Sequence, residues 1–326
     1  MLVRRYYRLR REYGGYIEFE QYSGTLIHDD ATALNCGRNC LAYLIEKRKI
    51  KKIYLPYFLC ASVSDVCLKY GIDIEYYHVN NDLLPEFNKC LEMDEYLYVV
   101  NYYGQISNEQ INEFKNLHRN LIVDNVQAYF QMPVPRTDTI YSCRKFFGVA
   151  DGAFLYTEAN VEGGLPVDES YKNMGFLMGR YERCAEEFYG GYVENNERFV
   201  KEPIKQISRL TYNLLRGIDY KYVSRIRKKN FSYLHDHLSS VNKLKPTIPE
   251  GAFMYPLYLN DGNNIRKKLQ ELRIYVPTLW PDVLRLCNDN TLEYNLAVNI
   301  LPLPVDQRYN INDMEVIISE ISKLIA

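Results

Sequence analysis

Apolar and polar positions follow two rhythms in the first 150 residues. Short apolar runs at 53–55, 73–79, 96–101, 121–123, 139–142 and 153–157 read as strands. The run at 96–101 is apolar enough to be buried on both faces. Between the strands, 39–49, 61–70 and 108–117 carry helical spacing, and the second ends at Gly71, a natural C-cap. Strands and helices in alternation predict a parallel sheet covered on both sides. The second half reads differently. Long charged helical stretches at 182–199 and 204–237 are interrupted at Gly190 and Gly191. A strand at 253–259, a helix at 264–272, strands at 273–276 and 299–304, and an amphipathic helix at 311–324 capped by Asn310 or Asn312 follow. The fold expected is α/β: a large domain over 25–200 with a mostly parallel sheet between helices. A smaller α+β domain over 201–326 joins the N-terminal arm 1–24.

Composition narrows the function. The chain has 326 residues, 47% apolar and 25% charged, which is ordinary for a folded protein and unlike a disordered one. A net charge of −1 argues against nucleic-acid binding by bulk charge. The longest uncharged run, 96–108, has thirteen residues and is too short and too polar to span a bilayer. No apolar segment follows the N-terminal arginines, so no secretory signal and no membrane partner are expected. Eight scattered cysteines fit reduced thiols in the cytoplasm. Neither they nor His28, His78, His118, His235 and His237 have metal-ligand spacing, so no metal is expected. The 31 tyrosines suit half-buried surfaces and interfaces.

Ligands of parallel α/β sheets bind at the carboxyl ends of the strands, which directs attention to four places. Asn35-Cys36-Gly37-Arg38-Asn39-Cys40 is a glycine turn opening a helix, where free N–H groups and the helix dipole favour an anion; a plain helix start has the same look. Asp124 ends an apolar strand, as a helix N-cap or as a carboxylate awaiting a cation. Lys145 stands before Phe146 and Phe147, either snorkelling outward or partly desolvated and therefore nucleophilic; Ser142 lies three residues earlier. Asn101-Tyr102-Tyr103-Gly104 offers aromatics at a strand end. An anion-binding helix start, a strand-end Asp and a strand-end Lys, in that order, match the needs of pyridoxal 5'-phosphate (PLP) chemistry. That chemistry uses a lysine to bond the aldehyde and an acid to keep the pyridine nitrogen protonated.

Over 33–157 the sequence resembles the DegT/DnrJ/EryC1/StrS family of PLP-dependent sugar aminotransferases, of the aspartate aminotransferase-like fold. The resemblance runs through Asn35-Cys36-Gly37-Arg38-Asn39, Tyr54-Leu55-Pro56-Tyr57, Val100 to Gln105, Val123 to Ala128 and Tyr141 to Gly152. It implies Lys145 as the Schiff-base lysine, Asp124 as partner of the pyridinium, and Gln127 on the ring's 3-hydroxyl. It implies Gly37, Arg38, Asn39 and Ser142 around the phosphate, and Cys60 where other members stack an aromatic ring on the cofactor. Arg38 stands where the family has a small Thr, and Ile140 where it has the usual Ser. The resemblance implies a homodimer that moves an amino group from an amino acid, glutamate in the family pattern, to a nucleotide-linked keto-sugar, in amino-sugar or surface polysaccharide synthesis. A PLP-dependent sugar dehydratase or lyase, or a degenerate member acting as a binding protein, stays open.

The remaining features have plainer readings. The N-terminal Arg4, Arg5, Arg8, Arg10 and Arg11 read as a solvated face or dimer contact. The run 225–229, Arg-Ile-Arg-Lys-Lys, reads as the exposed face of a helix. Proline-bounded loops carry Trp280, a candidate wall of the substrate pocket, and Arg308, a candidate fork for the donor carboxylate; Tyr103 is a third candidate on the substrate side. An ordinary packed Trp and a surface Arg remain equally open readings.

Overall fold

The computed structural model describes residues 13–159 and 164–325. The arginines at 4–11 lie outside the described residues. The first half builds one eight-stranded sheet. Its strands are β1 (Thr32–Leu34), β2 (Lys52–Pro56), β3 (Asp73–Val79), β4 (Pro85–Glu86), β5 (Glu95–Val100), β6 (Leu121–Asp124), β7 (Asp138–Ser142) and β8 (Ala153–Tyr156). They lie in the order β1-β8-β7-β6-β5-β2-β3-β4. The five central strands β3, β2, β5, β6 and β7 are parallel, while β8 runs antiparallel to both β7 and β1. Strands β2, β5, β6 and β7 are almost wholly buried, whereas β3, next to the edge strand β4, is largely half-buried or exposed. Helices α1 (Gly37–Arg48), α2 (Ala61–Lys69) and α3 (Asn108–Leu117) supply the crossovers and pack on β7 and β8, β3 and β6 respectively. Helix α3 opens with a full capping box between Ser107 and Gln110. The protein is therefore α/β with a mostly parallel mixed sheet, as the alternation predicts.

The register aligns the functional edge. Val100 pairs with Asp124 and Asp124 with Ile140, so β5, β6 and β7 end side by side. Within β7, Ile140 faces Gly37 of α1, and strand alternation turns Ser142 to that same face.

Helices α4 (Gly175–Glu182), α5 (Tyr189–Lys201), α6 (Arg209–Leu215) and α7 (Tyr220–Leu238) follow. A two-stranded antiparallel sheet of β9 (Met254–Tyr258) and β10 (Ile300–Pro304) comes next, with α8 (Gly262–Glu271), α9 (Val283–Leu286), α10 (Leu292–Asn299) and α11 (Ile311–Ile325). A second hydrophobic core, including Phe231, Leu234, Tyr255, Leu257, Leu301, Met314 and Ile317, forms where α7, α8 and α11 cover this sheet.

Two expectations fail here. Gly190 and Gly191 do not break a helix: they lie in the first turn of α5, and the break falls at 183–188. Packing explains Gly191, because a Cβ there would sit 3.2 Å from Phe176. Residues 273–276 form no strand, because β9 pairs only with β10 and the chain turns at Arg273, whose φ is +61°. No described helix is long and apolar enough to cross a membrane. All eight cysteines are free, and no cluster of three or more metal-ligating side chains exists among the described residues.

Candidate active site

Asp124 and Lys145 meet at the carboxyl ends of the neighbouring parallel strands β6 and β7. Strand β6 delivers the Asp124 carboxylate into the protein, where it is 4% exposed. Tyr98 Oη donates to Oδ2 at 2.8 Å and the Val126 amide to Oδ1 at 2.9 Å. Burial pushes its pKa up, opposed by Lys145 and by these two donors. Lys145 closes a single 3₁₀ turn, Cys143–Lys145, directly after β7. Burial pulls its pKa below the ordinary lysine value, against the attraction of Asp124 and Cys60; Arg144 and Arg38 add to the lowering. Its Nζ lies 5.6 Å from the centre of the Phe253 ring. The two groups attract across a gap rather than in a direct ion pair.

The turn bearing Lys145 is locked from behind. Gly152 has φ +109°, and a Cβ there would come within about 3 Å of Ile207 and Thr211. Its amide donates to Asn35 O and its carbonyl accepts from the Cys143 amide at 3.1 Å. The neighbouring Asp151 carboxylate takes the Ser208 amide at 2.7 Å, the Ser208 hydroxyl at 2.8 Å and the Thr211 hydroxyl. The Asp151-Gly152 pair thus fixes where the lysine begins its reach.

The start of α1 stands opposite. Helix α1 opens at Gly37 without a side-chain cap. Among the described residues the backbone amides of Gly37 and Arg38 have no partner, whereas that of Asn39 turns back to Cys36 O. Arg38 and Arg144 converge near Cys36, with no carboxylate in contact with either among the described residues. Arg144 reaches Asn196 Oδ1 and lies 4.8 Å from the Phe199 ring centre. Two neighbouring guanidinium groups at a positive helix end repel each other until an anion joins them. Ser142, on the same face as Ile140, makes no side-chain hydrogen bond among the described residues.

Comparison with known proteins sets this arrangement in context. No protein-family model matches the sequence, and no curated protein matches it. Solved structures match its shape. DesV of S. venezuelae superposes with a TM-score of 0.64 at 12% identity, covering 90% of this chain and 84% of that one. A DegT DnrJ EryC1 StrS aminotransferase from Brucella abortus gives 0.60 at 14% identity over 90% and 85%. Spr1654 of Streptococcus pneumoniae, described as a sugar aminotransferase and solved in its PLP form, gives 0.62 at 12% identity over 92% and 91%. The chain shares the fold of these aminotransferases.

Within that fold the residues present suit PLP. An unneutralised pair of arginines beside free helix amides fits a phosphate. Gln127 is buried, accepts the Tyr103 amide on Oε1 at 2.8 Å, and leaves Nε2 with no partner. Such an orphaned donor fits an oxygen on a ring lying between Asp124 and Lys145. Cys60, just before α2, lies within electrostatic reach of Lys145 and accepts from Ser62 Oγ at 3.2 Å.

Other candidates are placed differently. The Asn39 side-chain Nδ2 donates to Asn35 Oδ1 at 2.9 Å and Pro203 O at 2.7 Å, so it ties α1 to the chain behind it rather than facing an anion. Tyr103, at φ +55°, is buried, and its hydroxyl, within electrostatic reach of Arg266, has no hydrogen-bond partner among the described residues. The Arg308 fork is already filled by Asp306, with Nε to Oδ1 at 2.7 Å and Nη2 to Oδ2 at 2.8 Å. It therefore offers no empty fork for a donor carboxylate. Trp280 packs 5.4 Å from Phe58 and 6.2 Å from Tyr102, over the ends of β2 and β5, while Asp282 Oδ2 receives the Ala61 amide at the head of α2. Sequence reading assigned no role to Arg144, Tyr98 or Phe253. Arg144 carried a signal, being a second cation beside Lys145 with no acidic residue nearby in sequence.

Proposed function

We propose that this chain is a PLP-dependent aminotransferase that moves an amino group from an amino acid to a keto-sugar. By the resemblance, the donor is glutamate and the sugar nucleotide-linked. One observation carries the reading: Lys145 and Asp124 attract across a gap at adjacent strand ends, beside arginines that no carboxylate neutralises. The Gly37 and Arg38 amides, the Arg38 and Arg144 guanidinium groups and the Ser142 hydroxyl would hold the phosphate. Asp124 would keep a proton on the pyridine nitrogen, with Tyr98 Oη fixing the carboxylate's orientation. Gln127 Nε2 would donate to the ring oxygen. When bound, PLP supplies an electron sink that weakens the bond from the substrate carbon to its hydrogen. Lys145 Nζ accepts that proton and later returns it. Its lowered pKa keeps the amine available as a base, and the Phe253 ring excludes water from one side of it.

We read the assembly as a homodimer. Met178, Tyr181, Tyr189 and Tyr192 expose apolar surface on α4 and α5, next to the Arg144–Asn196 contact.

The test is a spectral titration. Purified protein mixed with PLP develops a visible band, and glutamate then discharges it as the amino group is transferred. A protein that takes up no PLP sinks the reading. A band that glutamate leaves intact while a keto-sugar alone is consumed replaces transamination with elimination.

A further inference from the structure

The run 225–229 was expected to be solvated, yet Arg227 is 2% exposed and enters the space between the two cores. Among the described residues it makes no contact with a carboxylate. Its Nη2 donates to Phe146 O at 3.1 Å, and its Nη1 to Ala252 O at 2.9 Å and Phe253 O at 3.4 Å. Its Nε donates to Gln307 Oε1 at 2.8 Å, and Gln307 Nε2 donates to the same Phe146 O at 2.9 Å. The guanidinium also lies 4.6 Å from the Phe146 ring centre. One planar fork thus grips the Phe146–Phe147 peptide, one residue beyond Lys145, and the peptides on both sides of Phe253, whose ring faces the amine. Burying a cation among carbonyl oxygens is costly, and burial pulls the Arg227 pKa down to about 10. A neutral side chain would have filled this space more cheaply.

We infer that Arg227, with Gln307, is a positioning residue that holds the Phe253 ring against the Lys145 amine. The inference rests on reading Lys145 as the reactive amine. The charged and titratable groups facing Lys145 are Asp124 on β6, Cys60 before α2, Arg38 on α1 and Arg144 in its own turn. Those facing Arg227 are Asp306 and Arg308.

Trace acetylation of the full chain, freed of bound PLP, reads the Lys145 amine directly. Its pH midpoint is taken by mass spectrometry, with exposed Lys172 as internal reference. Arg227→Lys keeps the charge and loses the fork. Gln307→Ala changes no charge and empties no core position. With the ring released and water admitted, the Lys145 midpoint rises by about one pH unit in Arg227→Lys, and by less in Gln307→Ala. Lys172 stays fixed in both. If Arg227→Lys fails to fold, the Gln307→Ala midpoint decides. A Lys145 midpoint equal to wild type in the folded variants overturns the inference. PLP is absent from this measurement, so a wild-type chain that binds no PLP fails the proposed function separately.

Discussion

The two ends of one α1–β6–β7 unit treat charge in opposite ways. At the amino end of β7, Asp138 is gripped by Arg48 from the last turn of α1, with Nε to Oδ2 at 3.0 Å and Nη2 to Oδ1 at 2.9 Å. The Thr157 hydroxyl adds a bond at 2.6 Å. At the carboxyl end of β6, Asp124 receives only neutral donors, while Lys145, Arg38 and Arg144 stand nearby without carboxylate contacts among the described residues. The same helix therefore ends in a saturated arginine and begins with an unsaturated one. Saturation marks the end that holds the fold. Charge left incomplete in a buried place marks the end where a charged ligand finishes the structure.

This contrast can be broken from either end. Lys145→Ala should abolish borohydride trapping of PLP, read as loss of the mass increment on the intact chain. Asp124→Asn should keep PLP bound but slow the half-reaction with the amino donor by about a thousandfold, measured by stopped-flow, because an amide cannot hold the ring nitrogen protonated. At the other end, Asp138→Asn should cost about 2–3 kcal/mol of stability in urea melts by leaving Arg48 half-paired, while PLP affinity is unchanged. Arg38→Ala and Arg144→Ala should each weaken PLP binding by about tenfold, and the apo protein should lose little stability. The smallest effect is on pH dependence. Lys145 has a folded-state pKa below its unfolded value of 10.5, so the unfolded chain holds the proton longer. Apo stability should therefore rise as pH climbs through the window below 10.5, and the rise should vanish in Lys145→Met.

Much of the eight-stranded sheet was legible because its strands are short apolar runs ending at polar residues, and helix α3 carries its own capping box. Strand β3 and helix α3 keep the boundaries that periodicity predicts. Strand β1 was not legible: three residues gain strand character only by pairing with β8. The charge run at 225–229 misled for a related reason. Sequence shows that cations are clustered; it does not show that one of them faces inward to carbonyl oxygens far away in the chain. Arg308 misled by its neighbour, since Asp306 two residues earlier already fills the fork.

By itself the sequence determined the order of the elements and the chemical types at the strand ends: a glycine-led helix start, then an acid, then a lysine. Those depend on local spacing, which a linear chain carries. The tertiary structure decided which charges stay uncompensated, because pairing depends on partners that come from distant segments. Arg48 finds Asp138 ninety positions away, while Arg38 and Arg144 find each other and no acid.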